Sequence, residues 1–215
     1  MSGRGRLVVF DLDGTLVDSA PGIVAAIQQA FWAVDIPPPA ASELQVWIGP
    51  PIRDRLAVEM AANGPEVIRT AQAAFRSYYA ANGAAESVLY PGVISTLLGL
   101  RDQGRQLAIA TSKPQALTVA TLSHHGIDHL MHDVAAQPNE GERVPKEELL
   151  GQLRSRGAAL EGALMVGDRD ADIRAGWSHG MTTVGAAWGY GTPQELRAAN
   201  VDVMVESLPD LLVLF

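Results

Sequence analysis

The chain has no cysteine and only two lysines, Lys113 and Lys146, among its 16 basic residues. Without cysteine there is no disulfide scaffold, no thiol nucleophile and no thiolate-bound zinc or iron–sulfur centre. Long apolar runs are missing as well. No window approaches the roughly 18 residues of a membrane span, and Asp11 ends the apolar stretch behind the basic N-terminus after four residues, too few for a signal-peptide core. A positive surplus is also lacking. With 24 acidic residues and a formal net charge of −8, a nucleic-acid partner held through its phosphates is disfavoured, and so is docking on a membrane of anionic lipid. A soluble, cytoplasmic monomer or homodimer is the expectation.

What the chain does have is 215 residues, 47% of them apolar, enough for a sizeable core in one or two domains. Short apolar runs at 7–10, 107–110, 163–166, 182–187 and 201–205, with a weaker one at 131–135, are of strand length. Stretches with helical spacing lie between them, at 92–103, 115–125, 146–156 and 172–179. That alternation indicates βαβ units and a parallel sheet. Residues 19–86 break the rhythm and read as helices only, at 23–34, 51–62 and 66–81. Turn signals at 36–39, Gly49-Pro50-Pro51 and Asn82-Gly83 separate them, and Tyr90-Pro91-Gly92 restarts the alternation. The expected fold class is α/β: a doubly wound parallel sheet core (1–18 and 87–215) with a small all-helical cap domain (19–86) inserted after the first strand. A plain helical linker is the simpler alternative, but lids and sites concentrate in segments at strand ends.

Ligands of parallel sheets bind beyond the carboxyl ends of the strands, so the residues after each apolar run matter most. The first run leads into Asp11-Leu12-Asp13-Gly14-Thr15, the second into Thr111-Ser112-Lys113-Pro114, and a later one into Gly167-Asp168-Arg169-Asp170-Ala171-Asp172. Asp11 and Asp13 are two apart and point the same way on an extended backbone. Two such carboxylates repel unless a cation or a shared proton relieves them, and a hard cation such as Mg²⁺ suits oxygen donors. Asp168 can add a third oxygen. Thr111 and Ser112 offer hydroxyls and backbone N–H groups for an anion at the start of the following helix, or a simple N-cap.

The segment Phe10-Asp11-Leu12-Asp13-Gly14-Thr15-Leu16-Val17-Asp18-Ser19, together with Thr111-Ser112-Lys113 and Gly167 through Asp172, resembles the haloacid dehalogenase superfamily of phosphohydrolases. Within that superfamily the chain is similar to the phosphoglycolate phosphatase-like branch, which carries a helical cap after the first strand. Ile48-Gly49-Pro50-Pro51 and Trp188-Gly189-Tyr190-Gly191 look like the same branch.

The resemblance implies a Mg²⁺-dependent phosphomonoester hydrolase acting on a small-molecule phosphate ester: phosphoglycolate, a nucleotide or a sugar phosphate. Asp11 would be the nucleophile that forms an aspartyl-phosphate. Asp13 would be the general acid and then the base. Asp11, Asp168 and the backbone carbonyl of Asp13 would hold the metal, with Asp172 one layer behind. Thr111 and Ser112 would bind the phosphoryl group. Where relatives often carry Lys-Pro-x-Pro, this chain has Arg143-Val144-Pro145-Lys146; Lys146 is taken as the basic phosphate ligand, with Arg143 as its rival. Lys113 is expected to line the entrance. Arg53 and Arg55 can reach a substrate carboxylate or can be two exposed charges. His124, His125, His129 and His132 lack the carboxylate spacing of a metal site, and Trp32, Trp47, Tyr78 and Tyr79 fit helix packing. The insert is expected to close over Asp11 and to select substrate. The alternatives are a β-phosphoglucomutase-like phosphomutase and a catalytically silent binding or regulatory protein on the same fold. A signalling receiver domain fits poorly, since receivers have no helical insert.

Overall fold

A computed structural model describes residues 7–48, 52–139 and 142–214. The basic N-terminal segment and Gly49-Pro50-Pro51 lie outside these described residues. The chain divides into two compact units, one formed by residues up to Asp18 together with Leu89 onward, the other by Ser19–Val88.

The first unit is built on a six-stranded sheet. In chain order its strands are β1 (Leu7–Phe10), β4 (Gln106–Pro114), β5 (Asp133–Gln137), β6 (Leu164–Gly167), β7 (Thr182–Ala186) and β8 (Val203–Val205). The two-residue strands β2 (Val17–Asp18) and β3 (Val88–Leu89) lie where the chain leaves and re-enters this unit. Spatial order in the sheet is β5-β4-β1-β6-β7-β8, and every pairing is parallel. Strand β1 sits in the middle with all four residues buried, as expected of a strand covered on both faces. Val8 and Phe10 pack into one core with Leu97, Leu122 and Leu211. Leu7 and Val9 pack into a second core with Leu149, Leu153 and Ala175. The alternation of side chains along a strand therefore feeds two helical layers.

Four longer helices cover the sheet: α5 (Val93–Asp102), α6 (Gln115–His124), α7 (Lys146–Ser155) and α8 (Asp170–Ser178), followed by the short α9 (Pro193–Ala198). Helix α7 shows why such segments are helical. Leu149, Leu150 and Leu153 form one buried stripe, Glu147 and Glu148 occupy the first turn, and Arg154 the last, each placed where the helix dipole favours its charge. Helix α8 lies tight on the sheet because Gly176 is bare; a Cβ there would meet the Met165 and Thr183 side chains.

Strand β4 differs from the expectation. It runs on past residue 110 to Pro114, held by pairing of Ala110 with Ala135, Thr111 with Ala136 and Pro114 with Gln137. Proline also favours extended backbone in the residue before it. Thr111 and Ser112 are thus strand residues and do not start a helix, which begins only at Gln115.

The second unit holds α1 (Ala20–Trp32), α2 (Ala41–Leu44), α3 (Ile52–Glu59) and α4 (Pro65–Asn82). Helices α1 and α4 approach closely at Gly22, where a Cβ would press on the Gly83 backbone. The core of the unit contains Ile27, Phe31, Leu44, Trp47, Leu56, Met60 and Tyr79, with the Phe31 and Trp47 rings tilted at 6.1 Å. Trp32, expected to pack between helices, is instead 57% exposed, and Tyr78 turns its hydroxyl to Glu86 Oε1 at 2.6 Å.

Candidate active site

The parallel order of the sheet brings the ends of β4, β1 and β6 side by side. The loop after β1 folds tightly on itself. The N–H groups of Leu16 and Val17 both donate to the Leu12 carbonyl at 3.0 Å, and Gly14 N–H donates to the Val17 carbonyl at 2.8 Å. Gly14 has φ +86°, and a Cβ there would strike the Asp168 carboxylate; only glycine suits both demands. Asp11 is anchored by its own N–H to the Val166 carbonyl at 2.9 Å.

Three carboxylates gather at this rim. Asp11, Asp168 and Asp172 are all buried, and one oxygen from each lies within 4.8 Å of the others; among the described residues this is the one such group. Lys146, the first residue of α7, reaches in with Nζ 2.9 Å from Asp11 Oδ1 and also binds Asp172 Oδ1. Lys146 is buried, whereas Arg143 is exposed. Three buried carboxylates against one ammonium leave excess negative charge, and the acid groups respond. Burial pushes Asp11 up to about 7, opposed by Lys146 and reinforced by Asp172 and Asp168. Burial likewise raises Asp168 to about 6, with Asp172 adding and the Tyr190 and Gly191 N–H groups opposing. For Lys146, burial works against the charged form, but Asp11 and Asp172 outweigh it and the net shift is upward. Asp11 Oδ1 is buried and receives no well-aligned hydrogen bond even though Lys146 stands close. An all-oxygen, negatively charged cluster with an unsatisfied oxygen fits a hard divalent cation.

Asp13 stands apart from this cluster. Its carboxylate is 26% exposed and meets Lys113 Nζ at 2.9 Å. Lys113, expected at an entrance, is buried. Thr111 is buried too and accepts the Lys113 N–H at 3.2 Å, while Ser112 between them is exposed. Arg53 belongs to the helical unit, exposed and paired with its neighbour Asp54 at 3.1 Å. Arg55 there pairs with Glu59 and lies over the Trp47 ring. His124 and His125 stack edge-on at 4.9 Å, and no histidine joins a metal-type group among the described residues.

Several supporting groups escape the motif reading as individuals. Thr15 Oγ1 donates to Asp168 Oδ1 at 3.2 Å, and the Tyr190 and Gly191 N–H groups donate to Asp168 Oδ2 at 2.8 and 3.3 Å. Trp188 Nε1 donates to the Thr15 carbonyl at 3.0 Å, and the Tyr190 hydroxyl donates to Asp18 Oδ1 at 2.9 Å. The loop after β7 therefore clasps both Asp168 and the Asp11 loop. Its glycines are the available signal: a Cβ on Gly189 or Gly191 would run into Asp168.

A doubly wound sheet whose central strand delivers a buried aspartate into a lysine-bridged carboxylate cluster has the chemistry of a phosphoryl-handling site. The family model for haloacid dehalogenase-like hydrolases matches residues 8–186. Among curated proteins, the tyrosine-protein kinase PtkA of Mycobacterium tuberculosis is 35% identical, with 94% of this chain and 72% of that protein covered. A 5'-nucleotidase of Pseudomonas aeruginosa is 33% identical (89% and 86% covered), and a phosphoglycolate phosphatase of Vibrio cholerae 32% identical (96% and 95% covered). Among solved structures, a haloacid dehalogenase-like family hydrolase of Streptococcus pneumoniae superposes with a TM-score of 0.85 at 28% identity, covering 97% of each chain. The chain belongs to the haloacid dehalogenase-like hydrolase family. It is a phosphatase of the phosphoglycolate phosphatase-like branch.

Proposed function

We propose that this chain is a Mg²⁺-dependent phosphomonoester hydrolase for a small phosphorylated metabolite, working through an aspartyl-phosphate on Asp11. The observation that carries the reading is the burial of Asp11 against Lys146, with Asp168 and Asp172 within 4.8 Å. Asp11, Asp168 and the Asp13 carbonyl would hold the cation, with Asp172 behind them, tied to Lys146 and to the Arg169 N–H at 2.9 Å. The cation, when bound, supplies positive charge that offsets the repulsion between an anionic nucleophile and an anionic ester. Asp11 attacks phosphorus, Lys146 offsets charge on the transferring oxygens, and Thr111 donates a hydrogen bond to them. Ser112, whose side chain is exposed, would contribute through its backbone N–H. Asp13 protonates the leaving alcohol and then takes a proton from the attacking water. The helical unit, with Arg53, chooses among esters; phosphoglycolate and nucleoside monophosphates come first, after the names of two relatives.

A second reading draws on PtkA: the same aspartyl-phosphate could pass to a tyrosine hydroxyl instead of water. A screen of phosphate release from small esters, with Mg²⁺ and with chelator, tests the first reading, and phosphotyrosine formation on added protein tests the second. Mg²⁺-dependent phosphate release that vanishes in Asp11→Asn is the expected result. Release that persists unchanged in Asp11→Asn or in chelator would refute it.

A further inference from the structure

Both lysines of the chain are buried, each against an aspartate of the loop after β1, yet only Lys146 has a place in the proposed chemistry. Lys113 Nζ lies 2.9 Å from Asp13 Oδ1, with its side chain 3% exposed against 26% for Asp13. Lys113 is also firmly mounted. Its N–H donates to Thr111 Oγ1 at 3.2 Å, and its carbonyl accepts from Thr118 Oγ1 at 3.3 Å. The same Thr118 hydroxyl lies 3.0 Å from the Pro114 carbonyl, and both threonines are buried. A buried ammonium is costly to desolvate, and in a chain that otherwise relies on arginine its compact head differs in shape and reach from a guanidinium. The rigid partner of the pair is the lysine; the partner facing outward is the carboxylate.

We propose that Lys113 is the positioning residue for Asp13, holding Oδ1 so that Oδ2 is the oxygen presented to the reacting groups. The inference rests on the hydrolase reading of the site. In the first step the Asp11–phosphorus bond forms, the ester P–O bond breaks, and the proton on Asp13 passes to the leaving oxygen. In the second step Asp13 takes a proton from water as the water oxygen bonds to phosphorus and the Asp11–phosphorus bond breaks. Asp13 ends each cycle protonated, and Lys113 keeps its proton throughout. An alkyl ester needs the proton from Asp13 far more than an aryl ester with a good leaving group, so a misplaced Asp13 penalises the two unequally.

The test compares the Mg²⁺-loaded wild type, Lys113→Met, Lys113→Gln and Asp11→Asn on the best alkyl and the best aryl ester of the phosphate-release screen, with melting curves for each. Lys113→Met is expected to lower kcat/KM, which reports the ester-dependent formation of the aspartyl-phosphate, roughly 10- to 100-fold more on the alkyl ester than on the aryl ester. Lys113→Gln, which keeps an N–H donor, is expected to recover part of the alkyl-ester rate, and it carries the comparison alone if the methionine variant does not fold. Equal losses of kcat/KM on the two esters, or no loss, would overturn the positioning role while leaving the hydrolase intact. A wild type that releases phosphate from no ester of that screen, or a fully active Asp11→Asn, would instead overturn the hydrolase reading and this inference with it.

Discussion

Withdrawing divalent cation as the pH is varied probes the carboxylate cluster most sharply. Asp11, Asp168 and Asp172 are buried around the single ammonium of Lys146. Without a cation, Asp11 titrates near 7 and Asp168 near 6, against 3.8 for an ordinary aspartate. Between about pH 4 and 7 the folded chain thus retains protons that the unfolded chain has released, so stability is lost as pH rises through that window. A tenfold change in the acidity of one group is worth about 1.4 kcal/mol, and the two groups together amount to roughly 7 kcal/mol at most. A bound cation relieves the excess charge. At about 100 times its Kd, Mg²⁺ adds about 2.7 kcal/mol, or roughly 5–10 °C in Tm for a chain of this size. The assay is thermal unfolding from about pH 4.5 to 8, with Mg²⁺ and with EDTA, read as the difference between the two Tm values so that unrelated titrations cancel. The difference should be slight below about pH 5, where protons compete for the carboxylates, and reach several degrees by about pH 7.5. A difference that is flat across pH, or absent near pH 7.5, would refute the argument.

Other substitutions test neighbouring links. Lys146→Met leaves buried carboxylates uncompensated and should cost about 3–5 kcal/mol in urea unfolding, with turnover lost; full stability would mean the pair is not buried as described. Gly14→Ala forces a side chain to φ +86° and into Asp168, so it should destabilise by about 1–3 kcal/mol and raise the Mg²⁺ concentration needed for activity; an unchanged Mg²⁺ titration would count against the Asp168 geometry. Arg53→Ala should raise KM for a carboxylate-bearing ester such as phosphoglycolate and spare an alkyl phosphate that has no carboxylate, and equal shifts in both KM values would remove Arg53 from substrate binding.

Much of the fold is legible in the sequence because its signals are local. The central strand is a pure apolar run buried on both faces, so it reads the same in sequence and in space. Helices α1 and α4 show in the same way, whereas the four-residue α2 (Ala41–Leu44) has no counterpart in the sequence reading and α3 buries only Leu56. Strand β4 is longer than its apolar run because Thr111 and Pro114 pair with Ala136 and Gln137 of β5, partners more than twenty residues away, with a register shift across Ser112 and Lys113 between them. For the same reason the hydroxyls of Thr111 and Ser112 resemble a helix cap in sequence. At the site, Asp11, Asp168 and Lys146 stand out by chemistry and position. The place of Lys113 does not, since only the extension of β4 past residue 110 turns its ammonium inward to Asp13. The clasp holds Asp168 through the backbone N–H groups of Tyr190 and Gly191, which residue identity does not disclose, and the loop after β1 through the Trp188 and Tyr190 side chains.

The central claim is that Asp11 carries the phosphoryl group between ester and water. Turnover quenched in acid and reduced with borohydride should convert Asp11, and no other aspartate, to homoserine in a peptide mass analysis. The signal should require both substrate and Mg²⁺ and should be absent in Asp11→Asn. Steady turnover with Asp11 unmodified at every quench time, or with the label on a different residue, would contradict the account.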